Sequence, residues 1–515
     1  MRDFLLRMPP RVLAYLLIAL AVLIRAQGQA PAESAQPPVS GEIIRIDGKA
    51  SSHAFPHFWE QMFGSGRATL SLRQDYRDDL RATKRITGFR YVRFHGVFDD
   101  DVDVYNEARD GGIDLNFSYV DQIYDGLLAN GVRPFIELSF MPKQLTSNPD
   151  AIQAFWYKPN VAPPKDYARW DAMIRGFARH LIDRYGEDQV AQWYFEVWNE
   201  PNIDFWAGVP KQQTYFDLYD HTARALKAVS PRIRVGGPAT AQAAWVAPFI
   251  QQAVDKSVPV DFVSTHVYGN DSAKDVFGTD ENIPRTRMVC RAVKKVHDQI
   301  AASARPNLPL IWSEFNASYK NEEDVTDAPF MAPWLADTIR QCDGLTQMMS
   351  YWTFSDVFEE QGVIKKPFYG GFGLLAEGGV PKPAFNAFAL LHRLGDRRLD
   401  VQSDSALVTK RADGSLAIAV WNLSLPEEKG VPKKVTLRFT NVRGAAHARV
   451  WMIDANHGSP LAAYEAMGSP AFPTERQFAA LREAAQLPAP TSETLTGNSM
   501  TLTLQPQALA LIELR

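Results

Sequence analysis

Between about residues 53 and 395, short apolar runs alternate with segments whose apolar residues recur every three to four positions. The runs are FRYVRF (Phe89–Phe94), PFIELSF (Pro134–Phe140), WYFEVW (Trp193–Trp198), IRVGG (Ile233–Gly237), FVSTHVY (Phe262–Tyr268), PLIWSEF (Pro309–Phe315) and MMSYWTF (Met348–Phe354). An eighth lies around Phe55–Gly64. Their length and their β-branched and aromatic content predict buried strands. The intervening segments predict helices. Phe117–Asn130 is apolar at 117, 120, 123, 127 and 128 and stops at Gly131. Asp166–Tyr185 sets Tyr167, Trp170, Ile174, Phe177, Leu181 and Tyr185 on one side, and Gly186 follows. Strands alternating with helices imply parallel crossover units, and eight of them predict an α/β fold, a (β/α)8 TIM barrel with insertions over 53–395. The runner-up is an open doubly wound sheet. Its dinucleotide-binding version is weakened, because no G-x-G-x-x-G follows the first strand.

After Gly395 the period changes to two. Leu416, Ile418 and Val420 alternate behind the turn pair Asp413-Gly414, and Val435, Leu437 and Phe439 alternate with Thr436, Arg438 and Thr440. Met500–Leu504 and Ala508–Leu514 are similar. This predicts a β-sandwich domain over 396–515, interrupted by one helix that opens on the capping-box pair Thr474 and Gln477. Residues 41–52, with strand-like Ile43–Ile46, are assigned to the same sandwich.

The first residues read differently. Arg2, Arg7 and Arg11 precede the uncharged apolar run Val12–Ile24, which suits a signal peptide over 1–26 better than a membrane span. Residues 27–40 (from Gln27 to Ser40) form a flexible lead-in rich in Pro, Ala, Gln and Ser. The expected destination is secreted or periplasmic, with no stable membrane association after processing; an uncleaved anchor is the alternative. The 515 residues are 46% hydrophobic and 22% charged, the balance of a globular chain. A net charge of −4 gives no basic field for nucleic acid. Two cysteines exclude a disulfide scaffold. Cys290 falls early in the helix after strand six and Cys342 late in the helix after strand seven. Neighbouring barrel helices run parallel, so the two are expected at opposite ends and unpaired.

In a barrel, function gathers at the C-terminal ends of the strands. Strand parity shows which side chains point inward. Tyr91, Arg93 and His95 share one parity. So do Tyr194, Glu196, Trp198 and Glu200; Ser264, His266 and Tyr268; and Trp312 and Glu314. The opposite positions Val92, Phe94, Phe195, Val197, Val263 and Val267 are apolar and suit the helix-facing side. A buried Arg, two His and several Glu inside a barrel are costly unless paired, so they mark a polar pocket. Glu200, in EVWNEPN, and Glu314, in WSEFN, end two of the strands. Glycosidic bond hydrolysis needs two such carboxyl groups.

These residues carry a family resemblance. WNEPN, Glu314, HFWEQMFGSGRA (His57–Ala68), RYVRFHGVFDDD (Arg90–Asp101), FIELSFMP (Phe135–Pro142), HVYG (His266–Gly269), YWTFSDVFEE (Tyr351–Glu360) and GGFGLL (Gly370–Leu375) together resemble the β-xylosidases of glycoside hydrolase family 39, retaining (β/α)8 glycosidases. WNEPN alone is shared across their clan; YWTFSDVFEE with HFWE is more specific. Phe315-Asn316 departs from the Trp-Asn often found after the nucleophile. The resemblance implies Glu200 as general acid/base and Glu314 as nucleophile. It implies His57, Asn199, His266, Tyr268, Trp352, Glu359 and Glu360 as substrate-binding residues, with Arg93 and His95 in support. It implies no cofactor and xylo-oligosaccharide as substrate; no metal and a monomer are expected beside it. Phe58 or Phe358 is expected to wall off larger sugars. Glu196, Glu137, His53 and His180 are read as structural.

The alternatives are an α-L-iduronidase-like enzyme, an arabinosidase side activity and an endo-acting exopolysaccharide hydrolase of the same family. From other classes come a non-catalytic sugar-binding barrel, which would lack one of the two carboxylates, and a metal hydrolase. His57, His95 and His266 show no H-x-H or H-E-x-x-H spacing for the latter.

Overall fold

The computed structural model describes residues 40–442 and 447–514; the expected signal peptide and nearly all of the lead-in lie outside them. Eight parallel strands close a barrel: β1 (Met62–Gly64), β2 (Tyr91–Phe94), β3 (Arg133–Leu138), β4 (Tyr194–Val197), β5 (Arg234–Thr240), β6 (Phe262–Tyr268), β7 (Leu310–Asn316) and β8 (Met348–Tyr351). β8 closes on β1 through Ser350 opposite Met62. The chain is therefore a (β/α)8 barrel, as its alternating runs predict. The eighth run shrinks to three paired residues, and the rest of Phe55–Gly64 is loop.

Six of the eight strands contribute a large side chain to the lower barrel. Met62, Phe135, Tyr194, Phe262, Ile311 and Met348 pack as one cluster across the lower barrel. This apolar plug seals the bottom, so polar side chains further along the strands sit in a cup that opens only upward. The outer faces pack on helices such as α1 (Ser118–Ala129) and α2 (Tyr167–Tyr185). Asp166 caps α2 by accepting from the backbone of Ala168 and Arg169.

Parity fails on β7. Thr265 stands opposite Trp312 and His266 opposite Glu314, so Ser313 is an extra residue in the ladder. The bulge turns both Ser313 and Glu314 inward. Trp312 packs with the large cluster between strands and helices instead of sharing Glu314's face. Trp198 also leaves the inward set: its indole donates to Phe205 O at 2.6 Å and packs on Phe140 and Trp206.

The C-terminal strands form a sandwich with N-terminal help. Ser40–Asp47, Lys433–Thr440 and Ser499–Leu504 make a three-stranded sheet, while Ser52–Ala54 joins the edge of a seven-stranded one. The large sheet is apolar on both faces. Val408, Ile418, Val420, Ala510 and Ile512 enter the sandwich core, and Leu407, Ala417, Ala419, Leu509 and Leu511 belong to the cluster that also holds the barrel helices. Barrel and sandwich are therefore docked through a shared core. The helix Glu475–Ala484 opens on the expected capping box. Among the described residues no helix is long and apolar enough to cross a membrane.

The cysteines correct the sequence reading. Cys290 and Cys342 form a disulfide, with Cα atoms 5.2 Å apart. The helices concerned are α3 (Arg285–Ala301) and α4 (Met331–Cys342). α4 starts well beyond the end of β7 and crosses the opening of α3. Trp334 Nε1 and Gln341 Nε2 donate to Arg285 O and Thr286 O, at 3.0 Å each. That offset brings the last residue of α4 to the second turn of α3, where register-matched helices would have kept them apart.

Candidate active site

Arg93 is the centre from which the site is built. It points inward from β2, fully buried, and its guanidinium divides its donors among four side chains. Nε reaches Glu196 at 2.6 Å, Nη1 reaches Glu314 at 2.6 Å, and Nη2 lies 2.7 Å from Glu137 and 2.9 Å from Asn199. Glu137, Glu196 and Glu314 thus come from three strands to one cation. Burial alone would favour deprotonation, but these carboxylates hold the guanidinium's pKa above its usual value.

Glu314 accepts on both oxygens, from Arg93 on one and from Tyr268 Oη at 2.7 Å on the other. A protonated oxygen would have to donate, so this geometry is that of a carboxylate. Burial and the neighbouring Glu314 and Glu200 charges raise the Tyr268 pKa, so its phenol keeps the proton it donates.

Glu200 lies just beyond β4 in a left-handed backbone conformation, φ 43°, and its N–H donates to Ala239 O at 2.7 Å. That strain aims the side chain over the cup. Its carboxyl pKa is raised well above the ordinary range, first by burial and then by the charges of Glu314 and Asp271. A carboxyl oxygen of Glu200 and one of Glu314 lie within 4.8 Å of each other.

His266 sits beside both. Its Nδ1 is 3.0 Å from Glu200 Oε1, and its Nε2 is 3.1 Å from Ser313 Oγ. The Ser313 hydroxyl donates its single proton to Glu196 at 2.6 Å. Nε2 must therefore be the donor to Ser313, which leaves Nδ1 as an acceptor in the neutral ring. Burial and the Arg93 charge lower the His266 pKa, which favours that neutral ring. The hydrogen on the Glu200–His266 bond then belongs to Glu200. The bulge that turns Ser313 inward thus helps keep Glu200 protonated.

Glu200, His266 and Glu314 also resemble a ligand triad for a cation. The charge already present argues against one: Arg93 donates to Glu314 at 2.6 Å, where a metal would need a free carboxylate.

The cavity above these groups is about 380 Å³ and is lined by His95, Asn199, Glu200, Tyr268, Glu314, Trp352 and Glu360, among others. Trp352 follows β8 and packs its ring against His95, 4.8 Å between centroids. His95 binds Glu137 at 2.7 Å, and its other nitrogen is 3.6 Å from Glu360. Burial pushes the Glu360 carboxyl up to about 8. Arg93, Asn199, Glu200, His266, Tyr268, Glu314, Trp352, Glu360 and His95 are therefore brought together.

Two predicted residues are not. His57 precedes β1, at the closed end of the barrel, where it stacks on Trp59 and binds Glu60 at 2.8 Å beside His392. Glu359 turns away from the cavity at φ 61° and pairs with Arg73 at 2.5 Å. Consecutive residues point to opposite sides there, so only one of Glu359 and Glu360 can face the site. Phe58 packs in the core beside Phe55 and Trp59, and Phe358 supports Trp352 and Phe372 from behind. The apolar walls are instead Phe155, Phe205 and Phe372. Gln242, Asp271 and Tyr319 also line the cavity unpredicted. They sit in loops after strands, where apolar periodicity carries no signal.

The chain is similar to known proteins along most of its length. The chain is 38% identical to a beta-xylosidase of Geobacillus stearothermophilus over 440 residues, 84% of this chain and 86% of that one. A crystal structure of a monomeric beta-xylosidase from Caulobacter crescentus CB15 is 35% identical, with a TM-score of 0.82 over 92% of this chain and 99% of that one. A GH39 enzyme from Xanthomonas axonopodis pv. citri is 33% identical, with a TM-score of 0.83 over 95% and 100%. Residues 42–500, which include the Arg93 centre, both facing glutamates and most of the sandwich, match the model of glycosyl hydrolases family 39, and the chain belongs to that family.

Proposed function

We propose that the protein is a retaining exo-acting β-xylosidase, with Glu200 as general acid/base and Glu314 as nucleophile. The observation that carries the reading is the pair itself: two carboxyl groups within 4.8 Å in one cavity, one held protonated and one accepting on both oxygens. Retaining glycosidases bring their carboxyl groups to about 5–5.5 Å, while inverting enzymes leave room for a water between them. In the first step a Glu314 oxygen bonds to the sugar C1, the glycosidic C–O bond breaks, and Glu200 gives its proton to the departing oxygen. In the second, Glu200 takes a proton from water, the water oxygen bonds to C1, and Glu314 is released.

Asn199 turns its carbonyl to Arg93, which directs its amide nitrogen to the sugar's 2-hydroxyl. Glu360 and His95 meet the hydroxyls beside Trp352, which offers its face to the ring. Similarity to the Geobacillus and Caulobacter beta-xylosidases supports xylose as the sugar. The charge balance agrees. Arg93 is engaged by three carboxylates and Asn199, and among the described residues lining the cavity there is no Lys or Arg to hold a uronic acid. Export through a signal peptide over residues 1–26 belongs to the same reading. It is supported by the Cys290–Cys342 disulfide, a bond that persists in oxidising compartments. We infer a monomer, as its Caulobacter relative is described.

The test is a panel of aryl β-xyloside, β-glucuronide and α-iduronide with the product anomer followed by NMR. Fast release of β-xylose from the xyloside is expected. A better rate on either uronide, or α-xylose as the first product, would overturn the assignment.

A further inference from the structure

Asn202, the last residue of WNEPN, is two positions past Glu200 and takes no part in the chemistry above. Its side chain holds both backbone polar groups of Ala241: Nδ2 donates to Ala241 O at 3.1 Å, and Oδ1 accepts from Ala241 N at 2.9 Å. Ala241 belongs to the loop after β5; Ala239 near the end of that strand and Gln242, Ala243 and Trp245 in the loop all have positive φ, between 50° and 60°. None is glycine, so each left-handed residue costs energy that the surroundings must supply. The clamp and the strain present Gln242 to the cavity wall. Its side chain meets Asp271, which follows β6 and accepts from Tyr268 N at 2.7 Å. Tyr319, 47% exposed, completes the rim and packs edge-on against Tyr268.

Asp271 is near enough to Glu200 for its charge to raise that carboxyl, and Gln242 meets Asp271, whereas Trp352, His95 and Glu360 form a separate group, with His95 against both of the others. The acid must touch the glycosidic oxygen, so the ring that departs lies on the Glu200 side. We propose that Gln242 and Asp271 are a recognition pair for the departing sugar, taking vicinal hydroxyls of an uncharged pyranose, with Tyr319 as its aromatic edge. A carboxamide next to a carboxylate supplies one donor and several acceptors, which suits a diol and rejects an acidic branch on the same ring. Burial places the Asp271 carboxyl at about 6, and its charge is one of those that raise Glu200, so the same residue couples leaving-group binding to the acid.

The proposal rests on the xylosidase reading, and its test separates the two. Wild type, Q242A and D271N are compared on xylobiose and on 4-nitrophenyl β-xyloside, whose aryl group has no diol. The ratio of kcat/KM, xylobiose over aryl xyloside, is expected to fall roughly tenfold in each variant, the loss of one sugar hydrogen bond. Thermal melts accompany the kinetics, and two variants in different loops guard against one folding poorly. An unchanged ratio in both, including an equal loss on the two substrates, overturns the pair. If wild type leaves xylosides intact, the function assigned above fails instead, and the ratio is measured on the disaccharide and aryl glycoside of the sugar it does cleave.

Discussion

Arg93 Nη1 lies 2.6 Å from Glu314 Oε1, and the same guanidinium also binds Glu137, Glu196 and Asn199. One cation therefore balances the floor of the cavity and orients the group that attacks. Replacing it with Met would leave three buried carboxylates facing one another. R93M should lose nearly all activity and about 3–5 kcal/mol of stability. R93K keeps the charge but not the fork, so it should recover stability better than kcat. Denaturant unfolding and steady-state kinetics on aryl xyloside check both; wild-type kcat in R93K would contradict the orienting role.

Ser313 should control the alkaline limb of kcat/KM. In wild type its hydroxyl commits His266 to accepting from Glu200. S313A frees the ring to donate from Nδ1, which favours the Glu200 carboxylate and lowers its pKa. Activity needs the protonated acid, so the alkaline limb should move to lower pH. A limb that stays in place would show that the tautomer does not matter.

Glu360 makes the fold weaker at high pH. Its folded carboxyl is pushed up to about 8, while an unfolded glutamate titrates near 4.5. Between those values the folded state holds a proton that the unfolded state has lost. Stability is full below about 4.5 and declines as pH rises toward 8. E360Q, which has no proton to lose, should flatten that decline, seen as a smaller fall in Tm from pH 5 to 8. The same variant should lower kcat/KM on xyloside.

His57 provides the contrast. It binds Glu60 at the closed end of the barrel, not the sugar. H57A should leave kcat/KM for xyloside within about twofold and lower stability by about 1 kcal/mol, since Glu60 loses one of its two histidine partners and keeps His392. A selective loss of xyloside turnover would return His57 to the substrate.

The disulfide should show in the folded protein's chemistry. Thiol titration of denatured, unreduced protein should find none, and C342A should cost about 2–4 kcal/mol, because the bond closes a 52-residue separation. Two titratable thiols would exclude it.

The sequence alone determined the barrel, the sandwich and the two carboxylates. Strands buried on both sides must be apolar along their length, and helices must show a 3.6-residue stripe, so β2 to β8 and α1 and α2 were legible. Glu200 and Glu314 stood out as a pair: one strand-end carboxylate usually serves an ion pair, but two of them on β4 and β7, each beside Trp and Asn, suit a glycosidase. What the tertiary structure decided was local geometry. Parity cannot foresee the bulge at Ser313, because one extra residue reverses every later position on the strand. Glu359 and Glu360 are equal in composition and differ only in backbone direction. The cysteine pairing depended on where α4 starts after an irregular loop, and Gln242 and Asp271 depended on loop conformations that follow long-range clamps such as Asn202. Periodicity records which face of a regular element is buried; it says nothing where the backbone stops being regular, and there the cavity walls are made.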